Sequence, residues 1–183
     1  MTTKLPSHPV AATLYANFPR WVLRLNREFP HDPGRVWDAI TKADEVAQWA
    51  PFRPDHDLIA HGDVWLTPTD GGEEDQPGRV LEVQSPSSLL YLWVSDHLHF
   101  DLTPTDGGTG LGLGYTFDDR NSASSIAAGW HLCLAALELL LDGKEVPSVV
   151  GEKAKEYGWE DLERQYAELF EENDASPEPM DSL

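Results

Sequence analysis

The sequence predicts an α+β fold in which a curved antiparallel sheet of about six strands wraps around one long helix. Residues 122–143 are a stretch of about twenty helix-forming residues, which is too apolar for a helix on the protein surface. Segments with alternating or continuous apolar residues, typical of strands, fill much of 58–117. Helices and strands are therefore segregated along the chain, with the longest helix after the strands.

The long helix has apolar residues on much of its circumference. Helical spacing relates Trp130, Leu134, Leu137 and Leu141, and the stripe is widened by Ile126, Cys133 and Leu140. We expect Ser122 to cap its start, and Gly143 to end it in a left-handed conformation. A helix of this length spans roughly 30 Å, whereas an eight-residue strand reaches about 27 Å. The helix can therefore lie across a whole sheet, and we predict a ligand cavity between the two.

The N-terminal part of the chain predicts a leader, a strand and two short helices. Residues 1–18 contain Pro6 and Pro9, and we expect a loosely ordered leader. Residues 21–29 alternate, with Trp21, Leu23, Leu25, Arg27 and Phe29 on one face. Asp32 and Pro33 then form the start of a first helix, and 44–49 form a second that stops before a proline.

The middle of the chain predicts an antiparallel meander. We place strands at 63–67, 79–84, 89–94, 97–103 and 109–117, with a possible edge strand near Leu58. The hexapeptide TPTDGG occurs at 67–72 and again at 103–108, each copy between two strands. Proline followed by Asp-Gly is typical of hairpin turns, although a role as paired lid loops stays open.

The C-terminal part predicts a helix docked on the core and an acidic tail. Residues 144–170 comprise a linker with Pro147 and an amphipathic helix at 159–170. Residues 171–183 are rich in acidic residues and proline, so we expect them to be disordered. The core domain is accordingly predicted to span 19–143.

Length, charge and cysteine content limit the class of protein. The chain has 183 residues, the length of one ordinary domain. A net charge of −19 argues against binding nucleic acid or an anionic membrane. Cys133 is a lone cysteine within the apolar stripe, so we expect a buried side chain and a reducing compartment. The sequence shows no secretory signal pattern and no apolar run of 18 residues, and we expect a cytoplasmic location. Dimerisation stays open.

One stretch resembles the opening of a known family. Residues 28–49 contain Asp32-Pro33, then VWDAIT from Val36, then Asp44 and Gln48-Trp49. This pattern resembles the START-like helix-grip (SRPBCC, Bet v 1-like) superfamily, in the bacterial branch related to the C-terminal domain of the Hsp90 ATPase activator (AHSA1-like). Gly129-Trp130, followed by Leu134 and Leu137, resembles the terminal helix of that branch. The leader, the acidic loop at 67–77 and the helix at 159–170 depart from it.

The sharpest local metal-ligand pattern is His97-x-His99. Two histidines at this spacing on a strand face the same way, Asp101 continues the row, and His131 could complete a site. Leu98 and Phe100 form the better core side, so the histidine face is better explained as solvated or as lining a polar part of the cavity. We predict no metal and no cofactor. A second cluster, at 55–57 with His61, is better explained as a solvated loop.

Catalytic motifs are weak in this sequence. The chain has no G-x-S-x-G motif, and the glycines at 107–114 lack the lysine and helix start of a phosphate loop. Gly112 and Gly114 are better explained by close packing of the helix or a ligand on that strand. The candidates for general acid or base are His99, His131, Asp101 and Glu138.

The aromatic content favours ligand binding. Seven tryptophans are many for a soluble domain of this size, and indole walls suit a pocket for aromatic or lipid-like molecules. The predicted ligand-binding residues are Trp49, Tyr91, Trp93, Tyr115, Trp130 and Leu134. We therefore predict binding of a small hydrophobic or aromatic molecule. The resemblance implies two alternatives, an enzyme of polyketide cyclase or hydrolase type and an Hsp90-activator-like interaction module.

Overall fold

The computed structural model describes residues 3–175 and contains one eight-stranded, fully antiparallel sheet that curls around a long helix. The strands are β1 (Thr13–Asn17), β2 (Arg20–Phe29), β3 (Phe52–Pro54), β4 (Gly62–Pro68), β5 (Gln76–Gln84), β6 (Ser88–Trp93), β7 (Asp96–Thr105) and β8 (Gly108–Phe117). Their order across the sheet is β1-β2-β8-β7-β6-β5-β4-β3. The helices are α1 (Pro33–Thr41), α2 (Ala43–Trp49), α3 (Ala123–Leu141) and α4 (Trp159–Ala175). The predicted helix-grip architecture is confirmed, with two strands more than expected.

The two additional strands lie at the two edges of the sheet. β1 pairs with β2, so 13–17 are ordered, contrary to the loosely ordered leader that we expected. Its residues are mostly exposed, which is why no apolar alternation revealed it. The edge strand expected near Leu58 lies instead at β3. Leu58 is a buried loop residue whose N–H donates to the Thr41 carbonyl oxygen over 2.8 Å.

The two short helices form as predicted. Asp32 caps α1, since its Oδ2 accepts a hydrogen bond from the Arg35 N–H over 3.2 Å, and Pro33 occupies the first turn. α2 is fixed to α1 by a buried hydrogen bond, in which Trp49 Nε1 donates to the Ala39 carbonyl oxygen over 2.8 Å. Both helices present their apolar residues to the same core as the sheet.

α3 is buried almost all round, with thirteen of its nineteen residues inaccessible to solvent. The Ser122 side chain makes no capping hydrogen bond. Instead, a 3₁₀ turn leads into the helix, and the Asp119 side chain accepts from the Asn121 N–H over 2.9 Å. Gly143 ends the helix at φ +70°, as predicted. The segment Arg120–Leu141 is long and apolar enough to cross a membrane, but 67% of its apolar 18-residue stretch is buried inside the protein, as expected of a core helix.

The two TPTDGG copies both form hairpin loops, but they pack differently. In the first copy, Asp70 contacts the C-terminal segment so closely that a Cβ on Gly151 would lie 2.8 Å from the Asp70 Cβ. In the second copy, Gly108 has φ +151° and packs against the backbone at 29–31. Identical sequences thus make different tertiary contacts, and the first copy is the one that approaches the C-terminal segment at Gly151.

α4 docks on α3 as the amphipathic pattern predicted. Tyr166 and Phe170 are buried, and the remaining residues of the helix are largely half-buried or exposed. The helix continues to Ala175, beyond its last buried apolar residue. Residues 171–175 are therefore helical, contrary to the disordered tail that we expected from 171 onward. The rest of the predicted acidic tail, 176–183, lies outside the described residues.

Adjacent glycines of the second loop provide a matched test of this packing. Gly108→Ala should destabilise the protein by more than about 2 kcal/mol, because the added Cβ would overlap the Phe29 carbonyl oxygen and φ is unfavourable. Gly107→Ala should change stability by no more than about 0.5 kcal/mol, because no atom lies within 4 Å of its added Cβ. Urea unfolding of both variants measures the difference, and equal stabilities would contradict this loop conformation.

Candidate functional site

A cavity of about 360 Å³ lies between the N-terminal half of α3, one end of the sheet and the segment that precedes α4. Its helix wall consists of Ile126, Gly129, Trp130 and Cys133, which share one face of α3 at helical spacing. The sheet contributes Trp93 and Tyr115, and the α2–β3 junction contributes Pro51. The cover is formed by Val149, Val150, Ala154 and Trp159. Several of these side chains are only half-buried, so the cavity opens to solvent at its rim.

Trp130 is the centre of the aromatic side chains around the cavity. Its ring centroid lies 6.3 Å from that of Trp49, 6.5 Å from that of Trp93 and 6.0 Å from that of Tyr115. The angle to Trp93 is 88°, an edge-to-face contact of the kind that aromatic rings prefer. Only 4% of Trp130 is exposed. The indole therefore belongs both to the core and to the cavity wall.

The polar groups of Trp93 and Tyr115 in the wall already have partners within the protein. Trp93 Nε1 donates to Gln76 Oε1 over 2.6 Å, and the Tyr115 hydroxyl donates to Asp96 Oδ2 over 2.7 Å. Arg20 in turn donates to Asp96 Oδ1 over 3.1 Å. Burial, reinforced by the hydrogen bond to Asp96, raises the pKa of Tyr115, so the phenol stays neutral. The cavity therefore presents mainly ring faces and aliphatic groups to an occupant.

Cys133 is a neutral wall residue rather than a nucleophile. Burial raises the pKa of its thiol to about 12, so the thiolate is negligible at neutral pH. This agrees with the buried cysteine expected from the sequence.

The structure divides the six predicted ligand-binding residues into two groups. Trp93, Tyr115 and Trp130 line the cavity. Trp49, Tyr91 and Leu134 are fully buried behind them and belong to the hydrophobic core. Sequence reasoning did not select Ile126, Gly129 and Cys133, although their helical spacing from Trp130 was visible. It could not have found the cover at 149–159, because a linker carries no periodicity that indicates what it covers.

Two acid–base candidates lie on the outer face of the sheet, away from α3. His99 Nε2 is 3.2 Å from Asp101 Oδ1 and 3.1 Å from the Ser88 hydroxyl, and its side chain is 38% exposed. His97 lies on the same face, where Arg20 donates to its Nδ1 over 3.0 Å. Within residues 3–175, no three His, Cys, Asp or Glu side chains form a group suited to a metal ion.

The glycines of β8 also face outward, so the expected packing against helix or ligand is wrong. A Cβ on Gly112 would lie 2.9 Å from Arg24 Nη2, and one on Gly114 would lie 3.7 Å from the His99 Cβ. The strand pleat places both glycines opposite the buried Leu111, Leu113 and Tyr115. Their small size therefore makes room for Arg24 and His99.

The other two candidates lie on α3, but on its side toward α4 and the leader. The His131 Nδ1 and Tyr166 hydroxyl are 2.8 Å apart in a buried hydrogen bond. Glu138 Oε2 accepts from His8 Nε2 over 2.5 Å. None of the four acid–base candidates lines the aromatic cavity.

The burial of His131 should make the stability of the folded protein sensitive to acid. Burial first, then the charges of Arg27 and His8, lower its pKa from 6.5 to about 4. The unfolded state therefore binds a proton more readily, and stability present above pH 6.5 is lost as pH falls toward 4. Between pH 7 and 4.5 we expect the wild type to lose about 2–3 kcal/mol more than His131→Gln.

Urea unfolding across this pH range measures that difference. His56→Gln, in an exposed loop, is the control and should follow the wild type. A His131→Gln variant that is as acid-sensitive as the wild type would contradict the assignment.

Comparison with known proteins supports the fold. Residues 30–142 match the family model of Activator of Hsp90 ATPase homolog 1-like proteins. A comparison with curated proteins finds no match. Among solved structures, the conserved protein EF2215 from Enterococcus faecalis aligns with a TM-score of 0.68 and 18% identity, covering 88% of this chain and 91% of that one.

Two further structures show the same architecture. CalU16 from Micromonospora echinospora has a TM-score of 0.62 and 16% identity over 87% of this chain and 98% of that one. DynU16, a protein of the dynemicin biosynthetic locus, has a TM-score of 0.61 and 21% identity over 69% of this chain and 49% of that one. At these identities the likeness shows the fold alone.

Proposed function

Because the chain belongs to the family of Activator of Hsp90 ATPase homolog 1-like proteins and has the START-like helix-grip fold, we propose that it binds a small hydrophobic or aromatic molecule beside Trp130. The observation that carries this proposal is the cavity between α3, the sheet and the segment at 149–159. Its volume of about 360 Å³ falls in the lower part of the range of small-molecule sites, about 300–1,000 Å³.

The wall chemistry favours a largely apolar occupant. Trp93, Tyr115, Trp130 and Trp159 supply aromatic rings on three sides. The indole N–H of Trp93 and the hydroxyl of Tyr115 already donate within the protein. A ligand with many polar groups would lose hydrogen bonds to water without replacement, whereas an aromatic ligand would gain ring contacts.

The segment at 149–159 is the part of the wall that could admit the ligand. It includes a 3₁₀ helix, Gly151–Tyr157, and ends in Gly158 at φ +84°. It rests on Asp70 of the first TPTDGG loop through Gly151. We assign the first loop a supporting role for this cover.

Binding has more support than the two alternatives. The cyclase or hydrolase alternative depended on His99, His131, Asp101 and Glu138, which lie outside the cavity. The titratable side chains that do line it, Tyr115 and Cys133, both have a raised pKa and stay neutral. The interaction-module alternative has less support, because only five large apolar side chains of residues 3–175 are exposed: Tyr15, Phe18, Ile59, Trp65 and Val94.

Gly129 allows the cavity to be filled without distorting α3. No atom beyond the helix backbone lies within 4 Å of a Cβ added there. Gly129→Leu should weaken binding of the uncharged fluorescent probe phenylnaphthylamine at least about tenfold, because the side chain occupies the cavity. Energy transfer from the cavity tryptophans to the probe, measured during a titration, reports the affinity.

Two controls accompany this titration. Gly129→Ala should retain binding and gain about 0.5–1 kcal/mol of stability from its helix propensity. Gln165→Leu places the same side chain at an exposed position of α4 and should bind like the wild type. Unchanged affinity in Gly129→Leu, or no binding by the wild type, would overturn the proposal. If the wild type binds the probe, native mass spectrometry of the freshly purified protein would identify a natural ligand that co-purifies with it.

A further inference from the structure

Tyr115 brings a hydroxyl group into the wall of the aromatic cavity. Only 5% of this residue is exposed, and its ring centroid lies 6.0 Å from that of Trp130. The other wall side chains that carry an N–H or O–H group, on Trp93, Ser125 and Trp159, are half-buried. A polar group of a ligand beside Tyr115 is therefore removed from water and depends on the protein for a hydrogen bond.

Asp96 fixes the direction of the hydrogen bond that Tyr115 makes. The Tyr115 hydroxyl and Asp96 Oδ2 are 2.7 Å apart. A carboxylate only accepts hydrogen bonds, so the phenol donates its single hydrogen to Asp96. The phenol oxygen still has lone pairs that can accept a hydrogen bond. Toward a ligand, Tyr115 is therefore an acceptor and not a donor.

Arg20 orients the Asp96 carboxylate. Its Nη2 donates to Asp96 Oδ1 over 3.1 Å, which leaves Oδ2 for Tyr115. The other nitrogens of the guanidinium are also engaged, since Nε donates to Asp118 over 2.6 Å and Nη1 donates to His97 Nδ1 over 3.0 Å. Burial first, then the charge of Arg20, lowers the pKa of His97, so its ring is neutral and Nδ1 can accept. The carboxylate is therefore held with one oxygen toward Arg20 and the other toward the phenol.

The other N–H and O–H groups on wall side chains are used within the protein or reach solvent. Trp93 Nε1 donates to Gln76 Oε1 over 2.6 Å, and the Ser125 hydroxyl donates to the Ser122 carbonyl oxygen over 2.9 Å. The indole N–H of Trp159 has no partner among residues 3–175, but it is not buried, so water can satisfy it. These side chains therefore offer a buried ligand lone pairs rather than hydrogens.

This arrangement distinguishes a ligand hydroxyl from an ether or carbonyl oxygen. A hydroxyl can donate its hydrogen to the Tyr115 oxygen and so replaces the hydrogen bond that it made with water. An ether or carbonyl oxygen at the same place meets only lone pairs, and it loses its hydrogen bonds to water without replacement. One neutral hydrogen bond corresponds to about three- to tenfold in affinity.

We propose that Tyr115 determines the specificity of the aromatic cavity by accepting a hydrogen bond from a hydroxyl group of the ligand. The ligand is then an aromatic alcohol of the phenol or naphthol type, rather than the corresponding ether or ketone. Asp96 is a positioning residue, because it holds the hydrogen of Tyr115 away from the ligand. This inference rests on the proposed binding of a small hydrophobic or aromatic molecule beside Trp130.

The first experiment compares naphthol with its methyl ether, methoxynaphthalene, which has the same ring system but no hydroxyl hydrogen. Each is titrated against phenylnaphthylamine bound to the full chain, and the ratio of the two affinities is compared between variants. In Tyr115→Phe the preference for naphthol should fall about three- to tenfold, because the acceptor is lost. The methyl ether should bind this variant at least as well as the wild type, which shows that the aromatic wall is intact. Tyr15→Phe makes the same chemical change on the exposed edge strand β1 and should leave the ratio unchanged.

Asp96→Asn tests the direction of the hydrogen bond. Arg20 only donates, so it should keep the amide oxygen, and the Nδ2 hydrogens then face the phenol and donate to it. The hydrogen of Tyr115 is thereby free to turn toward the ligand. The methyl ether should gain about three- to tenfold in affinity, whereas naphthol, whose oxygen can also accept, should keep its own. A merely structural defect would weaken both ligands together.

Three outcomes would overturn this inference while leaving the binding of a hydrophobic molecule intact. They are an equal affinity ratio in the wild type and Tyr115→Phe, an equal fall of the ratio in Tyr15→Phe, and no gain of the methyl ether in Asp96→Asn. Failure of the proposed function is distinguishable, because phenylnaphthylamine and both naphthalenes would then fail to bind the wild type. That result would overturn this inference as well.

Discussion

The apolar circumference of α3 is the constraint from which the rest of the fold follows. Thirteen of its nineteen residues are buried, so one sheet cannot cover it. The curled sheet contacts one side, α2 and α1 contact another, and α4 with the leader covers the remainder. Each large apolar side chain removed from water contributes about 1.5–3 kcal/mol, so leaving any of these sides open would be costly. The extra C-terminal helix is therefore part of the core.

Two kinds of cavity result because elements of different shape pack around α3. Beside Trp130, the segment at 149–159 meets the end of the sheet and leaves a largely apolar space, in which Trp93 and Tyr115 already donate hydrogen bonds within the protein. Beside His131, the leader and α4 enclose polar side chains within the core. The same helix thus separates a cavity with aromatic walls from one whose wall includes polar side chains.

Charge is distributed unevenly between the surface and the interior. The acidic residues that give the chain its charge of −19 are mostly exposed, and they pair with arginines at the surface. Burial acts in one direction on the interior groups, since it keeps Cys133 and Tyr115 protonated and His131 neutral. Arg27 is the exception, because a guanidinium cannot become neutral at any ordinary pH. Its charge must be met by an interaction rather than by a proton.

The sequence by itself determined the elements whose signals are local. Helical spacing defined α3, the Asp32–Pro33 pair defined the start of α1, and Gly143 defined the end of α3, because caps and periodicity depend on neighbours in the chain. Together with the motif at 28–49, these signals determined the helix-grip fold.

Only the tertiary structure decided which side of α3 faces the cavity and which side faces the hydrophobic core. A helix that is apolar all round has no preferred direction, so the sequence could not separate Trp130, in the cavity wall, from Leu134, in the core. Nor could it place the cover at 149–159, whose role arises from packing against distant residues. The surroundings of Arg27 were equally hidden, since alternation in β2 shows that the side chain points inward but not which groups surround it.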